Sequence, residues 1–409
     1  MLYQLHELSR QWLNPITSFA ETAASLYSHP SSPLAYLPFS REISASYDLL
    51  HRVGKLYDKP EFGLTHTKVN GREVAVHEEI VLAKPFCQFK HFRREGKFSD
   101  PVVLIVAPLS GHHSTLLRDT VRAMLPAHDV YITDWVDARL VPVSDGSFHL
   151  DDYIAYVIEF IHLLGPNVHV ISVCQPTVPV LAAISLMAAN KDPKSPRTMT
   201  MMGGPIDTRR NPTQVNNLAT TKSIQWFEHN VIHRVPASQP GFMRRVYPGF
   251  LQHAGFVAMN PDRHTQSHLD YYNHLVAGDG SSAESHRKFY DEYNAVLDMD
   301  ADYYLDTIQI VFQQHALANG TWVTGKTLGN QKIEPAAITK TALFTIEGEL
   351  DDISGGGQTQ AAHDLCTGIP KAKKQHFTAP QCGHYGIFAG RRWRELIQPK
   401  IADFIRKNA

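Results

Sequence analysis

The 409-residue sequence predicts an α/β protein built on a mostly parallel sheet. Three observations carry that expectation. Residues 102–107 read VVLIVA, the continuous apolar run that a strand buried on both faces requires. Further apolar runs alternate with helical periodicity, the pattern of parallel strands joined by crossover helices. The alternation is interrupted once, after Gly203-Gly204-Pro205, and it resumes at Ala342.

Each element follows from its local pattern. Residues 1 to about 60 carry helical periodicity, with apolar Leu2, Leu5, Leu8, Trp12 and Leu13 at the front, and read as an N-terminal helical extension. Pro15, Pro30, Pro33 and Pro38 are expected to break it into short helices. Residues 73–81 and 86–91 alternate as half-buried strands do, so the sheet should begin antiparallel. After the 102–107 strand come a helix over 114–125, a strand over 130–133, a helix over 151–164 and a strand over 168–173. A helix over 178–189 and a strand over 199–202 complete this half. The closing section predicts a strand over 342–346, a helix near 358–365, a strand over 374–378 and a helix over 391–406. Parallel neighbours need only a dozen or so connecting residues. Residues 205–340, rich in Tyr, His, Phe and Asn, therefore read as an inserted cap, helical in much of 270–314. The expected core is 61–204 with 341–409.

Composition narrows the function. Hydrophobic residues make up 43% and charged residues 19%, and the formal net charge of −1 supplies no field to draw in nucleic acid or an anionic membrane. No stretch approaches the roughly 20 apolar residues of a membrane span. The opening MLYQLHELSRQWLNP has neither a basic leader region nor a continuous apolar run, so no signal peptide is expected. A cytoplasmic, reducing location follows as the expectation, with Cys87, Cys174, Cys366 and Cys382 as free thiols.

The sharpest local signal is VHVISVCQPTVPVLAA, residues 168–183. An apolar strand runs into Cys174 and a small-residue helix follows at once, the layout of a nucleophile elbow. The usual G-x-S-x-G is replaced by Ser172, Val173, Cys174, Gln175 and Pro176, which departs from it at both glycines. The alternative for Cys174 is a buried structural thiol at a strand end. In IEGELDDISG, residues 346–355, Asp351 and Asp352 follow a predicted strand. Asp351 is the candidate acid and Asp352 a candidate helix cap or Asx-turn residue. In APQCGHYGIF, residues 379–388, His384 occupies a glycine-bearing loop after the last strand, where a catalytic base belongs. The order Cys, Asp, His is that of the α/β-hydrolases. The main-chain N–H groups of Gln175 and of Ser110, in the loop after the 102–107 strand, are the candidate oxyanion donors. His112 and His113 could instead ligate a metal, but no set of residues at zinc spacing accompanies them, and neither metal nor cofactor is expected.

Together, the MLYQLHE opening, VISVCQPT, EGELDDISG and QCGHYGIF resemble the intracellular polyhydroxyalkanoate (poly-3-hydroxybutyrate) depolymerase family over nearly the whole chain. Residues 134–154 are also similar to polyhydroxyalkanoate synthases. The resemblance implies an α/β-hydrolase fold and hydrolysis of ester bonds in stored polyester granules. It implies Cys174 as nucleophile, Asp351 as orienting acid and His384 as base. It also implies the granule surface as partner. A synthase-like acyltransferase, release of the acyl group to coenzyme A, and an inactive granule-coat protein are the competing readings. Tyr271-Tyr272, Tyr303-Tyr304, Trp226-Phe227 and Phe250 are candidates for an apolar lip toward polymer, or for the core of the cap.

Overall fold

The computed structural model describes residues 2–259 and 261–409. Nine strands form one sheet: β1 (His66–Val69), β2 (Arg72–Lys84), β3 (Cys87–Arg94), β4 (Val102–Val106), β5 (Asp129–Trp135), β6 (Val168–Val173), β7 (Thr198–Met202), β8 (Ala342–Gly348) and β9 (Lys374–Ala379). Their order is β1-β2-β3-β5-β4-β6-β7-β8-β9. β1, β2, β3 and β5 pair antiparallel, and every pair from β5 through β4 to β9 is parallel. This is the α/β-hydrolase arrangement, with β1 added at the antiparallel edge. The predicted strands are all present. β1 was not anticipated, because four residues of mixed polarity leave no alternation to read.

The parallel strands are where the apolar runs predict. Val103, Leu104, Ile105 and Val106 of β4 are fully buried, as are Val168, Val170, Ile171 and Val173 of β6. Helix α4 (Leu150–Leu164) presents one apolar face, whereas α5 (Thr177–Ala189) is buried over nearly its whole surface and is apolar all round. The other connection helix is shorter than expected: a 3₁₀ turn over Ser114–Leu117 precedes α3 (Arg118–Met124). Only Ala362–Leu365 is helical within 358–365, since residues 356–361, beginning at Gly356 and Gly357, form turns. The C-terminal helix passes through a π turn over Trp393–Ile397 before Gln398–Lys407.

The N-terminal region corrects the expectation of short pieces. α1 (Leu2–Ser28) runs through Pro15 without a break and packs on α2 (Ser40–Gly54). A proline inside a helix costs about 3 kcal/mol. The small buried residues Ala20, Ala23 and Ala24 let the two helices approach closely, and that packing works against the cost. A Cβ on Gly54 would stand 2.6 Å from Thr17 Cγ2.

β7 and β8 are direct neighbours, with Met202 opposite Ile346, although residues 203–341 separate them. That connection contains α6 (Gln214–Thr221), α7 (Ile224–Asn230), α8 (Gly249–Met259), α9 (Pro261–Ala277), α10 (Gly280–Tyr293) and α11 (Ala301–Asp306), with a π turn over Thr307–Gln313. It also holds a three-stranded antiparallel sheet of His233–Arg234, Arg245–Tyr247 and Met299–Asp300. Buried charges hold it. The Arg244 guanidinium donates to the carbonyls of Val141, Pro142 and Gly146 and to Asp300 at 2.8 Å, clamping the loop after β5. Asp298 accepts from Tyr3 Oη at 2.6 Å and from the Gly249 N–H at 2.8 Å, tying α1 to α8.

Candidate active site

In an open parallel sheet, the crevice forms beyond the carboxyl ends of the strands where their order reverses. Here the chain goes from β4 outward to β5 and then back across to β6, so the crevice lies beyond β4 and β6. The loop carrying Ser110 leaves β4, and Cys174 immediately follows β6.

Cys174 adopts φ of +67°, a left-handed conformation that costs a non-glycine residue about 1–2 kcal/mol. Its N–H donates to the Met202 carbonyl at 2.7 Å, which pins the turn to β7. Pro176 departs from the usual glycine without opening the turn, because it sits where the helix N–H would have no partner and its fixed φ already suits a helix. The close approach that glycine normally permits at this turn has moved to a neighbouring strand end. A Cβ on Gly204 would stand 1.8 Å from Thr177 Oγ1 and 2.6 Å from the Cys174 carbonyl oxygen. Sequence reasoning used Gly203-Gly204 only to mark the end of the alternation. A glycine pair directly after a strand was the available signal.

Asp351 follows β8. Its Oδ1 accepts the N–H groups of Ile353 at 2.9 Å and Ser354 at 2.8 Å, so the turn holds the carboxylate rigidly. Its Oδ2 lies 2.8 Å from Nδ1 of His384, and both side chains are buried. Asp352 is exposed. Glu347, unremarked in the sequence, is buried in β8 and accepts the N–H groups of Gly357, Thr359 and Gln360, which shapes the same loop. Gly203 closes the floor: a Cβ there would stand 3.3 Å from both Asp351 Oδ2 and His384 Cε1.

With Nδ1 committed to Asp351, the opposite edge of the imidazole is left for Cys174. Burial disfavours the charged His384 ring, but the Asp351 carboxylate and the Cys174 sulfur outweigh it and hold its pKa well above the usual imidazole range. Cys87, Cys366 and Cys382 are buried, and burial pushes each thiol up, Cys366 to about 12. All four are unpaired. The N–H groups of Ser110 and Gln175 have no acceptor among the described residues, and both residues line the same cavity as Cys174 and His384.

That cavity has a volume of about 530 Å³ and mostly apolar walls. Tyr303, Tyr304 and Phe227 from the 203–341 connection line it, as does Phe256 of α8. Tyr271 does not; it is buried elsewhere against Asp48 and Arg287. Phe250 stacks on His6 at 4.0 Å. The lip is thus a wall in part and packing in part. His112 lines the cavity but is stacked on Phe256, and burial lowers its pKa to about 4; burial lowers that of His113 to about 3. Neither belongs to a group of three or more potential metal ligands among the described residues. No helix among those residues is long and apolar enough to cross a membrane.

The family described as PHB de-polymerase C-terminus matches residues 203–409. No curated protein matches the chain. Among solved structures, a hydrolase from Pseudomonas aeruginosa PA01 is 11% identical, with 80% of this chain and 98% of that one covered at a TM-score of 0.46. A 2-hydroxy-6-oxo-6-phenylhexa-2,4-dienoate hydrolase from a Rhodococcus strain is 12% identical, covering 81% and 99% at 0.45. A monoacylglycerol lipase from Paleococcus ferrophilus is 11% identical, covering 79% and 99% at 0.44. The strand order, not these likenesses, identifies the fold.

Proposed function

The chain belongs to the PHB de-polymerase C-terminus family and has the fold of an α/β-hydrolase, and from that premise we propose that it hydrolyses the ester bonds of stored poly-3-hydroxybutyrate through a cysteine acyl-enzyme. The observation that carries this reading is the placement of Cys174 and His384 on the wall of an apolar cavity, with Asp351 bonded to the far edge of His384. His384 takes the Cys174 proton, and the thiolate attacks the ester carbonyl. The N–H groups of Gln175 and Ser110 hold the tetrahedral oxyanion, an effect worth about 3–4 kcal/mol for a single donor in other hydrolases. The C–O bond breaks, and the alcohol end of the polymer leaves with the proton from His384. The 3-hydroxyacyl thioester left on Cys174 is attacked by water that His384 deprotonates, which releases the acid and restores the thiol. Asp351 keeps the imidazole oriented and stabilises its charged form.

In this reading residues 205–340 are the cap, and the enzyme works at the granule surface in the cytoplasm. The exposed face of α1 supports contact with an apolar surface. Leu5, Leu8, Trp12, Ile16 and Phe19 recur at three- and four-residue spacing on one side, with Trp12 80% exposed. The test is incubation with native amorphous granules and identification of the soluble product. The expected product is free 3-hydroxybutyrate or its short oligomers, and Cys174→Ala should lower its release by about 10⁴- to 10⁶-fold. Retention of most activity by that variant would overturn the nucleophile assignment.

A further inference from the structure

Two buried polar side chains beside Cys174 have no part in the mechanism above. Gln175 is 8% exposed, and neither its Oε1 nor its Nε2 makes a hydrogen bond of good geometry among the described residues. Tyr303 is 1% exposed, and its hydroxyl makes no hydrogen bond of good geometry among those residues, although the Gln175 amide and the Thr307 hydroxyl stand close enough to favour its ionised form. The two are neighbours at the nucleophile. Burial drives the Tyr303 phenol well above its ordinary range, the adjacent Cys174 sulfur adds to that, and the Gln175 amide opposes it. Both residues line the cavity. A buried donor or acceptor without a well-formed hydrogen bond is destabilising, so three such atoms beside the nucleophile on the cavity wall call for an occupant that pairs them.

We propose that the Gln175 amide and the Tyr303 hydroxyl form a subsite for the oxygen on the third carbon of the acyl group carried by Cys174. This subsite would select 3-oxygenated esters over plain alkanoyl esters. The inference rests on the reading of Cys174 as acyl carrier. With the thioester carbonyl oxygen turned toward the N–H groups of Ser110 and Gln175, the third carbon lies only two bonds beyond the carbonyl carbon. Only groups next to the nucleophile can reach its oxygen. A primary amide and a phenol each donate and accept. Together they can pair a free hydroxyl at a chain end or the bridging ester oxygen of a mid-chain unit. The methyl and methylene groups of the same acyl unit meet the apolar remainder of the wall, which includes Leu109 and Ile308. A plain acyl chain in the same place would leave the amide and the phenol buried and unpaired, which is how a hydrogen-bonding site rejects an analogue that lacks the matching group. Gln252 also lines the cavity and has a free Oε1, but its Nε2 is committed to the carbonyls of Tyr247 and Leu297, so it frames the wall.

The experiment compares kcat/KM for p-nitrophenyl 3-hydroxybutyrate and p-nitrophenyl butyrate in the wild type, Tyr303→Phe and Gln175→Met. Both substitutions keep shape and leave the main-chain N–H groups in place. The wild type should favour the hydroxy ester by about tenfold or more, and each variant should bring the ratio close to one. Each substitution removes at most a poorly aligned contact between the amide and the phenol and relieves a buried polar atom, so the melting temperature should change little. A misfolded variant would instead melt early and lose both esters alike. A wild-type ratio near one, or an unchanged ratio in both variants, overturns the subsite. If neither ester acylates Cys174 in the folded wild type, there is no ratio to measure, and the acyl-carrier reading falls together with the subsite.

Discussion

The parallel half of the sheet and the connection between β7 and β8 are held together by opposite means. β4, β6, β7 and β8 are buried chiefly through apolar side chains and uncharged hydroxyls, with His169 and Glu347 as their buried titratable groups. Among the described residues, no buried ion pair holds these strands. The connection instead buries Arg244 against Asp300, with both side chains 4% exposed, and sets Asp298 beside Asp137 beneath Tyr3. Apolar burial is non-directional and tolerates small changes. A buried ion pair contributes little net stability while intact and leaves a heavy penalty when one partner is removed. The half that carries the candidate nucleophile is therefore robust, and the half that walls the cavity should be sensitive to single substitutions and to pH.

Arg244→Met gives the largest expected separation between the two. It leaves the Asp300 carboxylate and three carbonyls without their donor, and should destabilise the protein by about 3–5 kcal/mol in denaturant titration. A loss below about 1 kcal/mol would mean that the connection does not depend on that charge.

The pH response should be smaller, and the part of it that weakens the protein as pH rises should belong to the connection. Burial first, and then the neighbouring Asp137 carboxylate, raise the Asp298 pKa to about 7, above an unfolded value near 4. An acid raised in this way contributes stability that is whole below about pH 4 and is lost as pH rises through about 7. Neutral buried histidines such as His112 and His169, lowered to about 4 chiefly by burial, act in the opposite sense and lose their contribution as pH falls. The measurement is thus the difference between wild type and Asp298→Asn. Between pH 5 and pH 8 the urea midpoint of the variant should fall less, or rise more, than that of the wild type. Parallel curves would remove Asp298 from the account.

Ile171→Val sets the lower limit. It removes one methylene from fully buried β6 and should cost about 0.5–1.5 kcal/mol, with the same value at pH 5 and pH 8. A cost that varies with pH would mean that the sheet and the connection do not differ as described.

The same contrast explains what could be read in advance. VVLIVA and VHVISV announce buried strands because burial on both faces imposes a local requirement on every residue. Cys174, Asp351 and His384 could be proposed as a set because each follows a strand end in a fixed chain order. The fold class, the strand sequence and the three candidate residues were therefore legible from local pattern. The unbroken course of α1 through Pro15 was not, because packing on α2 supports it.

The tertiary structure alone decided which groups meet. It placed Gly204 under the Cys174 turn, Glu347 under the loop that carries Asp351, and Tyr303 against Gln175. It also joined Tyr3 to Asp298, 295 residues apart. Periodicity and turn chemistry act over a few neighbouring residues, so sequence expresses them directly. A buried polar contact depends on partners brought together by the whole fold, and its cost or benefit exists only after that approach.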